Sequence, residues 1–212
     1  MSKKKQSNDI IEDESTYKLK VGDDVWLTIS TSSTPAEESP TPTMVPDADA
    51  FEAGKVISID ESKQTCVCES ETRKTQETYK ISQVYPANPL KLDYSVDMAS
   101  LSHLNEPSVL HNLKLRYGRD DIYTYSGLFL LAVNPYKNLS IYSPEVIKKH
   151  AGKRRDDVDP HIFSVADISY RQMLLNEKNQ SMLVTGESGA GKTESGMYSL
   201  YSSKLTYPFR YH

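Results

Sequence analysis

The sequence lacks a long apolar run. No stretch approaches the ~18 residues needed to span a bilayer. The basic start, Met1-Ser2-Lys3-Lys4-Lys5-Gln6, has no apolar core behind it, which argues against a secretory signal. Positive charge is not in excess: 25 Lys+Arg stand against 29 Asp+Glu, a net charge of -4. The basic footprint of a nucleic-acid binder is therefore missing, and neither nucleic acid nor a membrane is expected as a partner. Apolar residues are scarce, 37% of the chain, beside the roughly 45–50% of typical globular domains. Part of the chain is thus expected to stay outside a packed core. Cysteine is nearly absent, with only Cys66 and Cys68. Their spacing is not a zinc pattern, and the rule that strand neighbours point to opposite faces argues against a bridge. Reduced thiols in an intracellular protein are the expectation.

The 212 residues allow one or two domains. Residues 1–16 are polar and charged and read as a disordered terminus. Val25-Trp26-Leu27-Thr28-Ile29 is a β-type run. Residues 30–50 hold Pro35, Pro40, Pro42 and Pro46 among serines and threonines, an exposed loop inserted between strands. Strand patterns resume over 54–59, 65–68 and 79–84 without helices between them, which predicts a small antiparallel barrel or sandwich over 17–92.

The pattern changes after Asp93. Asn105, Pro107 and Gly118 punctuate a helical run containing Val109, Leu110, Leu113 and Tyr117. The six apolar residues 128–133 predict a strand covered on both faces, as in a parallel sheet. Ser143-Pro144-Glu145 reads as a helix start. Phe163, Ala166, Tyr170, Met173 and Leu174 give an amphipathic helix, and Met182-Leu183-Val184 a short buried strand. Lys148, Lys149, Lys153, Arg154 and Arg155 read as a solvated loop. His103, His111, His150, His161 and His212 form no metal-ligand spacing.

Gly186-Glu187-Ser188-Gly189-Ala190-Gly191-Lys192-Thr193 follows that last strand and fits the phosphate-binding pattern G-x-x-x-x-G-K-[ST]. Each part has a physical task. Glycines let the backbone approach an anion closely. Successive N–H groups can form one concavity. A helix opening near Lys192 adds its positive end. Lys192 can reach the β- and γ-phosphates of a nucleotide, and the Thr193 hydroxyl can bind the accompanying Mg²⁺.

Residues 185–194 resemble the phosphate-binding loop of the myosin motor. The resemblance extends upstream through Leu104–Leu113, through Ile122 to Gly127, through Asn134-Pro135-Tyr136-Lys137, through Pro160-His161-Ile162-Phe163 and through Glu177–Ser181. It covers 93–194, the N-terminal part of the motor. Residues 21–92 resemble the SH3-like barrel that precedes the motor in conventional myosin heavy chains. The implied fold is an α/β P-loop NTPase motor fragment with an incomplete central sheet, preceded by a small all-β SH3-like barrel.

The resemblance implies ATP and Mg²⁺ as ligands, with 186–193 holding the triphosphate and Thr193 the metal. It places Asn134, Pro135, Lys137 and Tyr142 beside the adenine, although on spacing alone Asn134-Pro135 is a turn and Tyr142 a packed aromatic. The parent protein would be an actin-activated ATPase of the cytoplasmic cytoskeleton, with light chains and a coiled-coil partner. Its switch loops, actin cleft and lever would lie beyond residue 212. No catalytic set is complete here, and no steady-state ATPase is expected of the fragment.

Agreement with the family pattern stops at Glu194. Residues 195–212 do not follow it, Gly196 is poor in a first helical turn, and only Met197, Leu200, Tyr201 and Leu205 suggest a short amphipathic piece. This predicts a truncated chain whose tail derives from outside the matching exon. Asp159 is a lesser departure, beside Pro160. Two other readings stand. An unrelated P-loop NTPase would need Asp167 or Asp156-Asp157 to follow a buried strand as the metal anchor. A non-enzymatic remnant would act through its 17–92 module.

Overall fold

The computed structural model describes residues 17–29 and 50–207. The predicted disordered terminus, most of the proline-rich insertion and the last five residues lie outside them. The chain divides into two compact units, Met1–Ala87 and Asn88–His212.

The first unit is a five-stranded antiparallel sheet. Strands β1 (Asp24–Thr28), β2 (Phe51–Asp60), β3 (Thr65–Ser70), β4 (Gln76–Lys80) and β5 (Val84–Pro86) lie in the order β4-β3-β2-β1-β5. Alternate side chains turn inward. Val25 and Leu27 of β1, Val56 of β2, Cys66 and Cys68 of β3 and Val84 of β5 form the buried core. Residues 79–84, expected as one strand, are split by a 3-10 turn at Ile81–Gln83. Two strands result, and they pair on opposite sides of the sheet, β4 with β3 and β5 with β1. At Gly54 a Cβ would lie 2.5 Å from Leu27 Cδ1 and 2.8 Å from the Glu69 carbonyl, so only glycine fits against β1.

The reason expected to keep the two cysteines unbridged needs correction. Residues two apart on a strand share a face. Both thiols point into the core, with their sulfurs 3.6 Å apart, in hydrogen-bond contact and not joined as a disulfide. Burial pushes the Cys68 thiol up to about 12 and raises Cys66 also, so neither is a ready nucleophile. Nearby, Glu52 is buried and accepts hydrogen bonds from Ser70 Oγ (2.7 Å) and Arg73 Nε (3.0 Å). Burial alone would raise the Glu52 carboxyl; the Arg73 guanidinium and the Ser70 hydroxyl outweigh it and hold the group below its ordinary value.

The second unit combines a hairpin with four helices. Helix α1 (Glu106–Tyr117) starts where Asn105 Oδ1 accepts from Ser108 N–H (3.0 Å) and ends at Gly118. Strands β6 (Tyr123–Ser126) and β7 (Phe129–Ala132) pair antiparallel. Helix α2 (Pro144–His150) is capped by Ser143, α3 (Ile162–Asn176) by His161, and α4 spans Lys192–Thr206. Ile122, Tyr123, Ile147, Ile162 and Phe163 form its core.

Two expectations of buried sheet interior fail here, for one reason. The apolar run 128–133 is not a parallel strand covered on both faces. A tight turn at Gly127-Leu128 folds it back on β6, leaving Leu128 95% and Phe129 74% exposed. Met182-Leu183-Val184 is not a buried strand; it pairs with nothing in regular structure, and Leu183 is 92% exposed. A strand exists only through its ladder partner, and among the described residues neither segment has a second sheet to join. The basic run is also more than a solvated loop. Lys149 and Arg154 pair with Asp159 and Asp157. Arg155, however, turns inward, bonding Asp97 Oδ2 at 2.6 Å and lying 3.7 Å from the Tyr125 ring centroid.

Candidate functional site

The glycine-rich loop ends by opening α4, as the spacing predicts. Gly189 (φ 82°) and Gly191 (φ 89°) occupy the left-handed region, which side chains with a Cβ rarely enter. Gly191 is the N-cap of α4 without a side-chain cap bond, and its carbonyl accepts from Ser195 N–H at 3.0 Å. The first turn of such a helix presents N–H groups with no intrahelical acceptor, together with the positive end of the dipole. The loop closes on itself through Ala190 N–H to the Glu187 carbonyl, 3.2 Å. Lys192 Nζ curls over it and donates to the carbonyls of Gly186 (2.8 Å) and Glu187 (2.7 Å). The ammonium therefore sits over the loop, held by its carbonyls. Thr193 follows in the same turn and is exposed.

A cavity of about 180 Å³ opens beside the loop. Asn134, Pro135, Lys137 and Tyr142 all line it, with Ala190 and Gly191 from the loop. Gly186, Glu187, Ser188, Gly189, Lys192 and Thr193 do not line it; they form the adjoining shelf. Asn134 ties the two parts together. Its Oδ1 accepts from Tyr136 N–H (2.9 Å), and its Nδ2 donates to the Gly189 carbonyl (2.7 Å). Lys137 Nζ pairs with Asp120 Oδ1 at 2.5 Å.

Tyr142 is a wall of the cavity and part of the core behind it. Its hydroxyl meets that of Tyr123 at 3.0 Å, and its ring lies among those of His161 and Phe163. Burial raises both tyrosine hydroxyls above their ordinary range, so each is neutral. His161 Nδ1 accepts from Phe163 N–H, 3.1 Å, and His150 Nδ1 meets Ser164 Oγ at 2.8 Å. Burial, then the neighbouring His150, drives His161 down to about 3.

The sequence reading missed three residues of α4 that line the cavity: Glu194, Ser195 and Tyr198. With Gly191 they fall at i, i+3, i+4 and i+7, one face of a helix starting at Lys192. That arithmetic was available. The helix is also longer than the short piece expected, and the four apolar residues of that piece, Met197, Leu200, Tyr201 and Leu205, are exposed, whereas Ser199 and Ser202 are buried. Asp167, the acid an unrelated NTPase would need as its metal anchor, is buried on α3. It is committed to Gly152 N–H, Arg171 Nε (2.8 Å) and the Tyr207 hydroxyl (2.8 Å).

The family model for the myosin head (motor domain) matches residues 95–202, half of the chain. The chain belongs to the myosin head family. The matched stretch contains α1, the hairpin, the cavity residues and the whole phosphate-binding pattern, and it runs past Glu194 into α4. A relative, the non-muscle myosin-2 heavy chain of Acanthamoeba castellanii, is 60% identical over 108 residues, 51% of this chain and 7% of the relative. This myosin head fragment thus spans a small part of the length of the curated relative it matches. None of its described helices is long and apolar enough to cross a membrane.

Proposed function

We propose that this chain is the N-terminal fragment of an actin-based cytoskeletal motor and that it binds Mg-ATP through residues 186–193. The observation carrying this reading is the loop's construction: two left-handed glycines, a helix opening at Lys192, and an ammonium held 2.7–2.8 Å from two loop carbonyls. In this reading Lys192 exchanges those carbonyls for phosphate oxygens. The Thr193 hydroxyl would take the Mg²⁺, which when bound neutralises phosphate charge. Asn134, Pro135, Lys137 and Tyr142 border the base. The N-terminal sheet corresponds to an SH3-like barrel, and the longer parent protein spends ATP moving on actin in the cytoplasm.

Thermal unfolding with and without Mg-ATP tests it. A ligand at 100 times its Kd stabilises the native state by about 2.7 kcal/mol, roughly 5–10 °C for a chain of this size. The full chain should show that shift, and Lys192→Ala should abolish it without lowering the unliganded Tm by more than a degree or two. An unmoved Tm at millimolar Mg-ATP would favour the other reading, a folded interaction module carrying an inactive nucleotide site.

A further inference from the structure

Tyr198 lies flat on Tyr142. Their ring centroids are 3.6 Å apart and their planes differ by 2°. Both rings line the cavity beside the phosphate loop, and the stack is held from behind: the Tyr142 hydroxyl meets that of Tyr123 at 3.0 Å, and its ring edges meet Phe163 and His161. One π-face of Tyr142 is therefore already covered, by Tyr198. The residue that covers it stands seven positions after the N-cap of α4, on the helical face that points into the cavity. Aromatic rings and nucleobases compete for the same kind of surface, because each gains by laying one π-face on another.

The geometry points to Tyr198 as a built-in occupant of the base seat, so that this chain binds the polyphosphate end of a nucleotide and gains little from the base. The inference rests on the reading that 186–193 takes polyphosphate, and it adds a specificity to that site. Lys192 stands apart from the stack, held only by the Gly186 and Glu187 carbonyls, whereas one face of the aromatic wall is already covered. Discrimination between nucleotides, or between a nucleotide and a bare polyphosphate, should then be weak.

Binding of Mg-ATP and of inorganic tripolyphosphate to the full chain, measured by calorimetry, tests this. The wild-type chain should bind the two within about threefold of each other. Tyr198→Ala and Tyr198→Leu, which uncover Tyr142, should each bind Mg-ATP roughly tenfold or more tightly than the wild type, in line with the value of one base stack, with tripolyphosphate unchanged. Tyr198→Phe keeps the stack and should behave as wild type. Two substitutions of different size guard against one failing to fold, and a thermal melt of each checks that it has folded. A wild-type preference for Mg-ATP above tenfold, or no gain in both uncovering variants, overturns the seat proposal while leaving the loop reading intact. Binding of neither ligand by any variant overturns the loop reading, and the seat proposal with it.

Discussion

Replacing Phe163 by alanine should destabilise the second unit by about 3–5 kcal/mol, the range for a fully buried phenylalanine. Phe163 is 0% exposed. Its ring touches three others, with centroids 4.4 Å from His161, 6.1 Å from Tyr142 and 6.4 Å from His150. The loss removes both transfer energy and the packing that positions Tyr142 at the cavity wall. Against a total stability of roughly 5–15 kcal/mol for a typical protein, a fifth of the margin or more disappears. Urea unfolding followed by tyrosine near-UV circular dichroism should show the midpoint falling while the slope stays constant. Phe163→Leu should recover more than half of the loss. A cost below 1 kcal/mol for the alanine variant would mean that this cluster is not the core of the unit.

Acid should destabilise the same unit well above the carboxylate range. His161 is held neutral, with its folded value lowered to about 3 from an ordinary 6.5, first by burial and then by His150 and Lys149, the Ile141 backbone partly offsetting them. His150 is lowered too, by burial and by Lys149, against the opposing pull of Asp159 and Asp167. The sign follows from proton counting. Between about pH 6.5 and 3 the unfolded chain binds a proton at His161 that the folded chain refuses. Stability is therefore complete above pH 6.5 and falls as the pH drops through that window, by up to about 1.4 kcal/mol per pH unit, levelling off near 3. At pH 5 the loss for His161 alone is about 2 kcal/mol. All five histidines follow residue 88, and the only tryptophan, Trp26, lies in β1 of the first unit. Tyrosine dichroism should then show a lower midpoint at pH 5 than at pH 7, while Trp26 fluorescence reports little change. His161→Phe should flatten the slope. Equal midpoints at the two pH values would contradict the buried, neutral state of the ring.

Local signals predicted local structure well. The β-type run 25–29 located β1, and Asn105, Pro107 and Gly118 marked both ends of α1. The glycine pattern located the opening of α4. Failures came where structure depends on a distant partner. The apolar runs 128–133 and 182–184 looked like sheet interior, yet the first pairs only with β6 and the second with no strand, because hydrophobicity alone cannot supply a larger sheet. The two thiols share one face because a spacing of two on a strand returns to the same side. His150 and His161 gave no sequence sign that they would pack among aromatic rings. Of the site, the loop, Asn134, Pro135, Lys137 and Tyr142 were named beforehand, and the cavity brings the last four together with Ala190 and Gly191. Tyr198 lies past Glu194, where the motif resemblance was expected to stop, although the matched stretch runs on to residue 202. Helical spacing from Lys192 would have placed it.

The central claim is that the amides around 186–193, with one ammonium, are shaped for polyphosphate. Amide proton–nitrogen spectra of the isotopically labelled chain, recorded as Mg-ATP is added, test it most directly. The largest shifts should fall on residues 186–193 and the first turn of α4, and they should vanish in Lys192→Ala. Unmoved loop amides at millimolar Mg-ATP, or shifts scattered over both units with the loop no more affected than the rest, would contradict it.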